Sequence, residues 1–288
     1  MTILHLASKL VVAGALCVAS ALASAQATLP VLVDASGNDA SIVIGDPLNP
    51  LADVTLAFQD ATGLSPASLG VSVQQVSLSD ASLLARLPDA SLTALPAALP
   101  LLITIEPPAD GGLRFRNTGR LEIHTHALAY APGSAFRVLK APLGGNFRDV
   151  SDEIAQGSVR ARTTYGGFSQ FLIVTDLRPT GVVINEKIGY LRDRVSALPL
   201  SERQPFSTKL DIAQAAIAAA DYPTAIDAID DFRARAVARA GNFLANEWRA
   251  TRDVTNHAGE LVAGAATLRL REAADESFVK VTGGQWQS

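Results

Sequence analysis

Two histidines and a glutamate alternate along one short stretch of the chain, LEIHTHAL at residues 121–128. In a β-strand successive side chains point to opposite faces, so Glu122, His124 and His126 would share one face, with apolar residues on the other. Two imidazoles and a carboxylate are ligands that zinc or iron accepts in proteins. The stretch therefore predicts either a metal site or the polar, solvent-facing side of a strand.

The rest of the sequence favours the solvent-facing interpretation of this strand. The only other histidine after residue 25 is His257, which lies in a helical part of the chain. Metal-binding imidazoles are usually oriented by further carboxylates, and no motif supplies them here. An alternating polar face is also what an antiparallel sheet with one solvated side requires. We expect no cofactor, and a metal-dependent enzyme built on the histidine pair is the alternative.

Arginines repeat the same alternation on two other predicted strands. Arg114 with Arg116, and Arg160 with Arg162, each enclose one apolar residue, which puts each pair on one strand face. Such a face can hold the carboxylate or phosphate groups of a glycan through paired hydrogen bonds. The chain has only 2 Trp and 4 Tyr residues, which disfavours an aromatic sugar-binding platform. A solvated face is the simpler explanation, and glycan binding is the alternative.

Other catalytic chemistry finds little support in the sequence. There is no Gly-x-Ser-x-Gly motif for a serine nucleophile, and the glycine pairs lack the spacing of a phosphate-binding loop. Gly144-Gly145 and Gly166-Gly167 instead predict the tips of β-hairpins. The single cysteine, Cys17, excludes intramolecular disulfides and thiolate metal sites. These observations favour a protein that is not an enzyme.

The first 25 residues predict an export signal. A positive charge at Lys9 precedes an apolar run too short to span a bilayer, and Ala23-Ser24-Ala25 resembles a signal-peptidase site. We expect cleavage before Gln26 and a periplasmic or extracellular chain without a membrane span. The whole chain has 24 basic and 28 acidic residues, so loss of Lys9 leaves a net charge of about −5, which does not favour nucleic acid binding.

Residues 26–200 predict an antiparallel β-sandwich of the Ig-like kind, either as one domain or as subdomains 28–106 and 107–186. Turn residues punctuate the chain about every 8 to 12 residues without intervening helices. One such cluster is Asn117-Thr118-Gly119, which predicts a turn. Residues 80–100 fit either a short helix or a proline-broken loop. The predicted strands are 41–45, 54–58, 69–78, 101–107, 113–116, 120–130, 135–141, 146–150, 158–165 and 168–176.

Residues 201–271 predict a small bundle of three antiparallel helices, followed by a tail at 272–288. Thr208 and Asp211 have the spacing of a capping box at the start of the first helix. Apolar side chains recur at helical spacing in three segments, 210–220, 225–240 and, less regularly, 244–268.

Phe232 is predicted to form the centre of this bundle. It lies in the middle of an apolar stripe and should point toward Trp248 or Leu261. Pro199, Ser201 and Pro205 predict an irregular link at 186–207 between the strand-rich and helical parts. Because few contacts need to cross such a link, we expect the two parts to be separable.

Three segments carry a resemblance to known families. KLDIAQAAIAAADYPTAIDAIDDFRARAVARAG at 209–241 resembles FIMAH, a small helical module appended to exported bacterial proteins. YAPGSAFRVLKAPLGGNFRDVS at 130–151 and GGFSQFLIVTDLRP at 166–179 resemble β-sandwich regions of uncharacterised exported proteobacterial proteins. The resemblance implies an accessory module and assigns no catalytic residue. We therefore expect an exported, non-enzymatic protein with a binding, adhesion or envelope-structural role, whose partner is a cell-surface protein or a glycan.

Overall fold

The structure of this chain is a computed structural model that describes residues 27–131 and 133–268. The expected leader with Cys17 and the expected tail at 272–288 lie outside the described residues. The described chain is a mixed α+β protein with two antiparallel sheets of seven strands each. The strands are β1 (Ala27–Leu29), β2 (Val31–Ser36), β3 (Asp39–Asp46), β4 (Asn49–Thr62), β5 (Val71–Gln75), β6 (Thr93–Ala94), β7 (Leu101–Ile105), β8 (Arg114–Ala129), β9 (Phe136–Ala141), β10 (Arg148–Asp149), β11 (Glu153–Ala155), β12 (Ser158–Tyr165), β13 (Gln170–Asp176) and β14 (Glu247–Arg249).

The two sheets contribute to one apolar core. The first sheet has the order β1-β5-β7-β13-β9-β10 with β6 beside β13, and the second has the order β11-β12-β8-β4-β3-β2 with β14 beside β8. Buried side chains come from both, among them Val73 and Phe171 from the first sheet and Ile42 and Leu56 from the second. Burial alternates along β3, β4 and β12, so one face of the second sheet covers this core and the other faces solvent.

Strand β8 continues through the predicted turn at 117–119. Asn117 has a left-handed φ of 59°, and the register with β4 shifts between Phe58 and Asp60 opposite this point. These features define a β-bulge, which accommodates an extra residue without ending the strand. The turn prediction was wrong because asparagine and glycine favour left-handed backbone in bulges as well as in turns.

The two glycine pairs have different roles. Gly144 and Gly145 lie between the antiparallel neighbours β9 and β10, so the hairpin prediction there is confirmed. Gly166 and Gly167 instead connect β12 in the second sheet to β13 in the first, and the prediction of a hairpin tip was wrong. The local sequence does not distinguish a hairpin tip from a connection between two sheets, because both require only a tightly turning backbone, which glycine allows.

Six α-helices accompany the sheets in the described residues, and none of them is long and apolar enough to cross a membrane. The sequence left both a helix and a loop open for residues 80–100. This segment contains the short helix α2 and the strand β6. Its apolar residues pack with Leu102, Leu139 and Leu172 of the first sheet. The helices are α1 (Pro66–Leu69), α2 (Ala81–Leu84), α3 (Thr180–Ser196), α4 (Leu200–Ala218), α5 (Tyr222–Arg239) and α6, at 257–268.

Helices α3 and α4 occupy most of the segment in which the sequence predicted an irregular link. Helix α4 continues through Pro205, which removes one intrahelical donor, and the burial of Phe206 and Leu210 outweighs that cost. Thr208 lies in mid-helix, where its hydroxyl donates to the Gln204 carbonyl oxygen at 3.0 Å. The irregular link and the capping box were therefore both wrong predictions.

Helices α3 to α6 surround a second apolar cluster. Helices α4 to α6 lie almost wholly within the predicted bundle at 201–271, whereas α3 lies in the segment 26–200 that was predicted as sandwich, so the sandwich prediction was wrong for residues 180–196. Phe232 is fully buried there, with its ring centroid 5.0 Å from that of Phe206 and with Leu261 in the same cluster. Trp248 lies instead in β14, which pairs with β8, and it stacks on Phe115 with ring centroids 5.3 Å apart. The helical placement of Trp248 was wrong because a long-range strand pairing leaves no trace in helical spacing. Independent folding of the two parts stays a prediction.

Candidate functional site

A cavity of about 550 Å³ opens where α3 and α6 meet the shared core of the sheets. Its walls come from β9, β10, β14, α3, α6 and the connection between β12 and β13. We call it the cationic cleft, after the charged and aromatic side chains that line it: Glu106, Lys140, Arg148, Phe168, Tyr190, Arg194, Trp248, Arg252 and Glu260.

Glu260 is the centre of the polar contacts in the cationic cleft. Its carboxylate lies 3.6 Å from Lys140 Nζ and 3.6 Å from Arg148 Nη2, and it accepts a hydrogen bond from the Tyr190 hydroxyl. Burial alone would raise the pKa of Glu260, but Lys140 and Arg148 bring it down to about 2. Burial lowers the pKa of Lys140, which Glu260 opposes, and raises the pKa of Tyr190. The carboxylate is therefore held in its charged form.

The cationic cleft carries more positive than negative charge. Four cationic side chains line it against two carboxylates, Glu106 and Glu260. Arg252 donates to Glu106 at 2.9 Å, and its guanidinium lies 4.2 Å over the Trp248 ring. Arg194 has a buried Nε without a hydrogen-bond partner among residues 27–131 and 133–268. The Arg194 Nε is closed to solvent, so what the cleft offers an anion is the net positive charge of its lining.

Neighbouring backbone positions bring the cationic residues together. Lys140 and Arg148 are direct cross-strand partners on β9 and β10, so their side chains lie on the same side of the sheet. Tyr190 and Arg194 are four residues apart on α3, which places them on one helix face. The Arg148 guanidinium lies 3.7 Å over the Tyr190 ring and joins the two groups.

Asn256 holds α6 against the sheets. Its side-chain oxygen accepts a hydrogen bond from the Gly259 N–H at 2.9 Å, as a helix N-cap does. Its Nδ2 donates to the carbonyl oxygens of Asn117 at 2.7 Å and Gly166 at 3.0 Å. A Cβ atom at Gly166 would lie 2.4 Å from the backbone nitrogen of Glu260. Glycine is therefore required for the close approach that puts Glu260 in the cleft.

The histidine pair lies on the outer face of the second sheet, beside Asp53 rather than Glu122. His126 Nε2 lies 2.8 Å from Asp53 Oδ2, and His124 Nδ1 lies 3.8 Å from the same oxygen. Asp53 on β4 is the cross-strand neighbour of His124 on β8. His124 Nε2 also lies 2.6 Å from Ser158 Oγ. We call Asp53, His124 and His126 together the Asp53–His124–His126 cluster.

Glu122 has arginine partners instead. Arg160 Nη1 donates to its carboxylate at 2.8 Å, and Arg162 Nε donates at 2.5 Å. Arg162 also donates to Glu153 at 2.7 Å. Burial alone would raise the pKa of Glu122, but the two arginines lower it overall. Of the three candidate metal ligands from the sequence, the structure brings the two histidines together and leaves Glu122 in a separate ion-pair network.

Arg114 and Arg116, the other candidate arginine pair, lie at the start of β8, away from the histidines. Arg116 Nη1 is 4.0 Å from Asp60 Oδ2, and Arg114 and Arg116 border the same shallow cavity. Six strand residues, about 20 Å, separate Arg116 from Glu122 and its two arginine partners. The candidate glycan-binding arginines therefore form two separate groups on one face, and Arg116, Arg160 and Arg162 are in ion pairs.

A family described as "Family of unknown function (DUF6689)" matches residues 13–273. The chain belongs to this family. The match spans both sheets and all six helices of the described DUF6689 chain. No curated protein and no solved structure matches it.

The sequence did not indicate the cationic cleft of this DUF6689 chain. Lys140, Arg148, Tyr190 and Glu260 come from four elements spread along the chain, and no motif links them. One local signal was present, because Lys140 is a charge inside the apolar strand FRVLKA. A charge in such a strand requires a buried partner, but its identity depends on how α6 docks.

Proposed function

We propose that this protein binds a small organic anion in the cationic cleft. The observation that carries the proposal is the surplus of cationic side chains around Glu260, because four cations line the cleft against two carboxylates. An anionic ligand can accept charge-assisted hydrogen bonds from such side chains, which are stronger than hydrogen bonds between neutral groups.

The size and lining of the cleft suit a ligand about as large as a sugar acid. Its volume of about 550 Å³ lies within the range of about 300–1,000 Å³ that is typical of small-molecule sites. Phe168 and Trp248 add apolar surface beside the charges. A carboxylate-bearing or phosphate-bearing sugar combines both requirements. The proposal keeps the glycan ligand considered from the sequence but moves it from the arginine strand face to the cleft.

Thermal melts with three related sugars test the proposal. Glucuronate and glucose 6-phosphate carry the anion in its two forms, and glucose is the neutral counterpart. A ligand that binds only the folded state raises the melting temperature by an amount that grows with the logarithm of its concentration relative to its Kd. We expect glucuronate, glucose 6-phosphate or both to raise the melting temperature of the full chain, and glucose to leave it unchanged.

Two neighbouring arginines of α3 provide matched variants. Arg194→Gln removes a cation that lines the cleft, whereas Arg192→Gln removes one that is paired with Asp211 outside it. We expect Arg194→Gln to abolish the anion-dependent shift and Arg192→Gln to retain it. The absence of a shift with both anions, or an equal shift with glucose, would show that the cleft charges only support the fold.

We further propose that the protein is exported and acts in the periplasm or outside the cell in binding, adhesion or envelope structure. The support is the leader-like composition of residues 1–25 and the cleavage signal before Gln26. The intact mass of protein recovered from the exported fraction tests this. A chain that begins at Gln26 or within a residue or two of it is expected, and a retained Met1 would contradict export.

The finer architecture is also a proposal. We infer an Ig-like sandwich from the core that both sheets share, and a bundle related to the FIMAH module from the cluster of α3 to α6. Expected partners are a cell-surface protein or glycan rather than nucleic acid, because the chain is net negative.

A further inference from the structure

We infer that the Asp53–His124–His126 cluster binds a divalent transition metal, with zinc as the best-fitting ion. Each of the three residues offers one ligand atom, and these atoms lie within 4.8 Å of one another. Two imidazoles and one carboxylate, with further positions open to solvent, form a ligand set that suits zinc. This site lies on the outer face of the second sheet and is independent of the cationic cleft.

The separations in the cluster are close to those that a zinc ion imposes. With metal–ligand bonds of about 2.0–2.1 Å, tetrahedral ligands lie about 3.3 Å from one another. Asp53 Oδ2 lies 2.8 Å from His126 Nε2 and 3.8 Å from His124 Nδ1, and these distances bracket that value. Small side-chain rotations would bring these atoms to the tetrahedral spacing, because strand pairing already places Asp53 opposite His124.

The His124 ring is held through one nitrogen, and its other nitrogen faces Asp53. Its Nδ1 is too far from Asp53 Oδ2, at 3.8 Å, for a hydrogen bond. Its Nε2 is engaged by Ser158 Oγ at 2.6 Å, which fixes the ring with Nδ1 turned toward Asp53. A metal-binding histidine is commonly oriented in this way through its second nitrogen. Ser158 is therefore the positioning residue of the proposed site.

The surroundings leave the cluster accessible to a cation from solvent. The side chains of Asp53 and His126 are 38% and 37% exposed, so three protein ligands leave coordination positions for water or an external ligand. Glu122 forms ion pairs with Arg160 and Arg162, so its carboxylate does not compete with Asp53 for the histidines. The positive charge of Arg160 opposes cation binding. We therefore expect weaker affinity than that of a closed structural zinc site.

Calorimetric titration of the full chain with ZnCl₂ tests the inference, on protein purified without a histidine tag. We expect one zinc ion per chain and a zinc-dependent rise in melting temperature. Asp53→Asn, His124→Ala and His126→Ala should each weaken zinc binding by about 100-fold or more, and Ser158→Ala should weaken it by about tenfold.

Two carboxylate variants serve as matched controls. Asp60→Asn makes the same change as Asp53→Asn at an exposed position of the same strand, and Glu122→Gln removes the carboxylate that the sequence suggested. Both should retain zinc affinity. No zinc binding by the wild type, or equal loss of binding in Asp60→Asn, overturns the inference. Equal loss in Glu122→Gln overturns the assignment of Asp53.

A cobalt titration provides a second readout that does not depend on stability. Cobalt(II) in a site of nitrogen and oxygen ligands gives visible absorption bands whose intensity reports its coordination. The bands should appear with wild type and Asp60→Asn and be absent with His124→Ala, once circular dichroism shows that each variant is folded. Bands of equal intensity in His124→Ala would overturn the inference even if zinc still altered the melting temperature.

Discussion

Glu260 shows how burial and charge act against each other at a single residue. Only 15% of its side chain is exposed, which favours the neutral acid, yet Lys140 and Arg148 hold its pKa at about 2. The same carboxylate provides the counter-ion for Lys140, which is itself buried. Removing one partner of such a pair leaves the other as an uncompensated charge, which costs more than the pair itself contributes.

Glu260→Gln should therefore destabilise the protein by about 3 kcal/mol near neutral pH. Because folding lowers the pKa of Glu260 from 4.5 to about 2, its contribution is present above pH 4.5 and is lost as the pH falls through about 2. Urea unfolding of both proteins at several pH values should show their difference shrinking toward acid. Glu153→Gln, at an exposed ion pair with Arg162, should cost less than about 1 kcal/mol. A difference that did not change with pH would contradict the depressed pKa.

One strand and one helix continue through residues that usually interrupt such elements. Strand β8 passes through Asn117 by a bulge, and helix α4 passes through Pro205. In both cases the neighbouring element decides the outcome, because β4 pairs along β8 and the apolar face of α4 is buried against α5. Local residue preferences determine how much free energy is lost when an element continues. Tertiary packing determines whether that loss is compensated.

Phe232→Ala tests the packing of α5 on α4. Phe232 is fully buried and lies edge-on to Phe206, so its truncation should cost about 3–5 kcal/mol. The measurement is urea unfolding followed by the helical circular-dichroism signal. Phe243→Ala is the matched control, because Phe243 is 54% exposed and contacts only the guanidinium of Arg239 among the described aromatic and cationic pairs. It should cost about 1 kcal/mol or less. Equal losses in both variants would refute the core position of Phe232.

Buried polar contacts join the helices to the sheets across the whole molecule. Lys187 of α3 lies 3.6 Å from Asp149 of β10 and donates to the Thr267 carbonyl oxygen of α6 at 2.8 Å. Glu260 of α6 contacts Lys140 of β9. Separation of the two parts would expose these charges without their partners. The contacts therefore favour coupled unfolding over the independent folding that the sequence predicts.

Trp248 reports on the sheet core, so the same Phe232→Ala change tests this coupling. In a Trp286→Phe background, Trp248 is the only remaining tryptophan. We expect its fluorescence transition and the helical dichroism transition to move to lower urea together in Phe232→Ala. A fluorescence transition that stayed at its original midpoint would show instead that the strand-rich part folds independently.

The sequence by itself determined features that depend on periodicity. Alternation along LEIHTHAL placed His124 and His126 on one face of β8 with Ile123 buried behind them, and helical spacing placed Phe232 inside a helical cluster. Periodicity is a property of neighbouring residues along one element. Because the backbone geometry of a strand or helix is fixed, a single sequence is sufficient to show which side chains share a face.

Only the tertiary structure decided which faces meet. It placed Asp53, rather than Glu122, beside the histidines, because β4 pairs with β8 at that register. It moved Trp248 from a predicted helix into the core of the sheets, and it assembled the cationic cleft from β9, β10, α3 and α6. These outcomes depend on contacts between residues far apart in the chain. The strand registers and helix positions that form these contacts are those that bury apolar area and pair buried charges over the whole molecule. No local pattern encodes that balance.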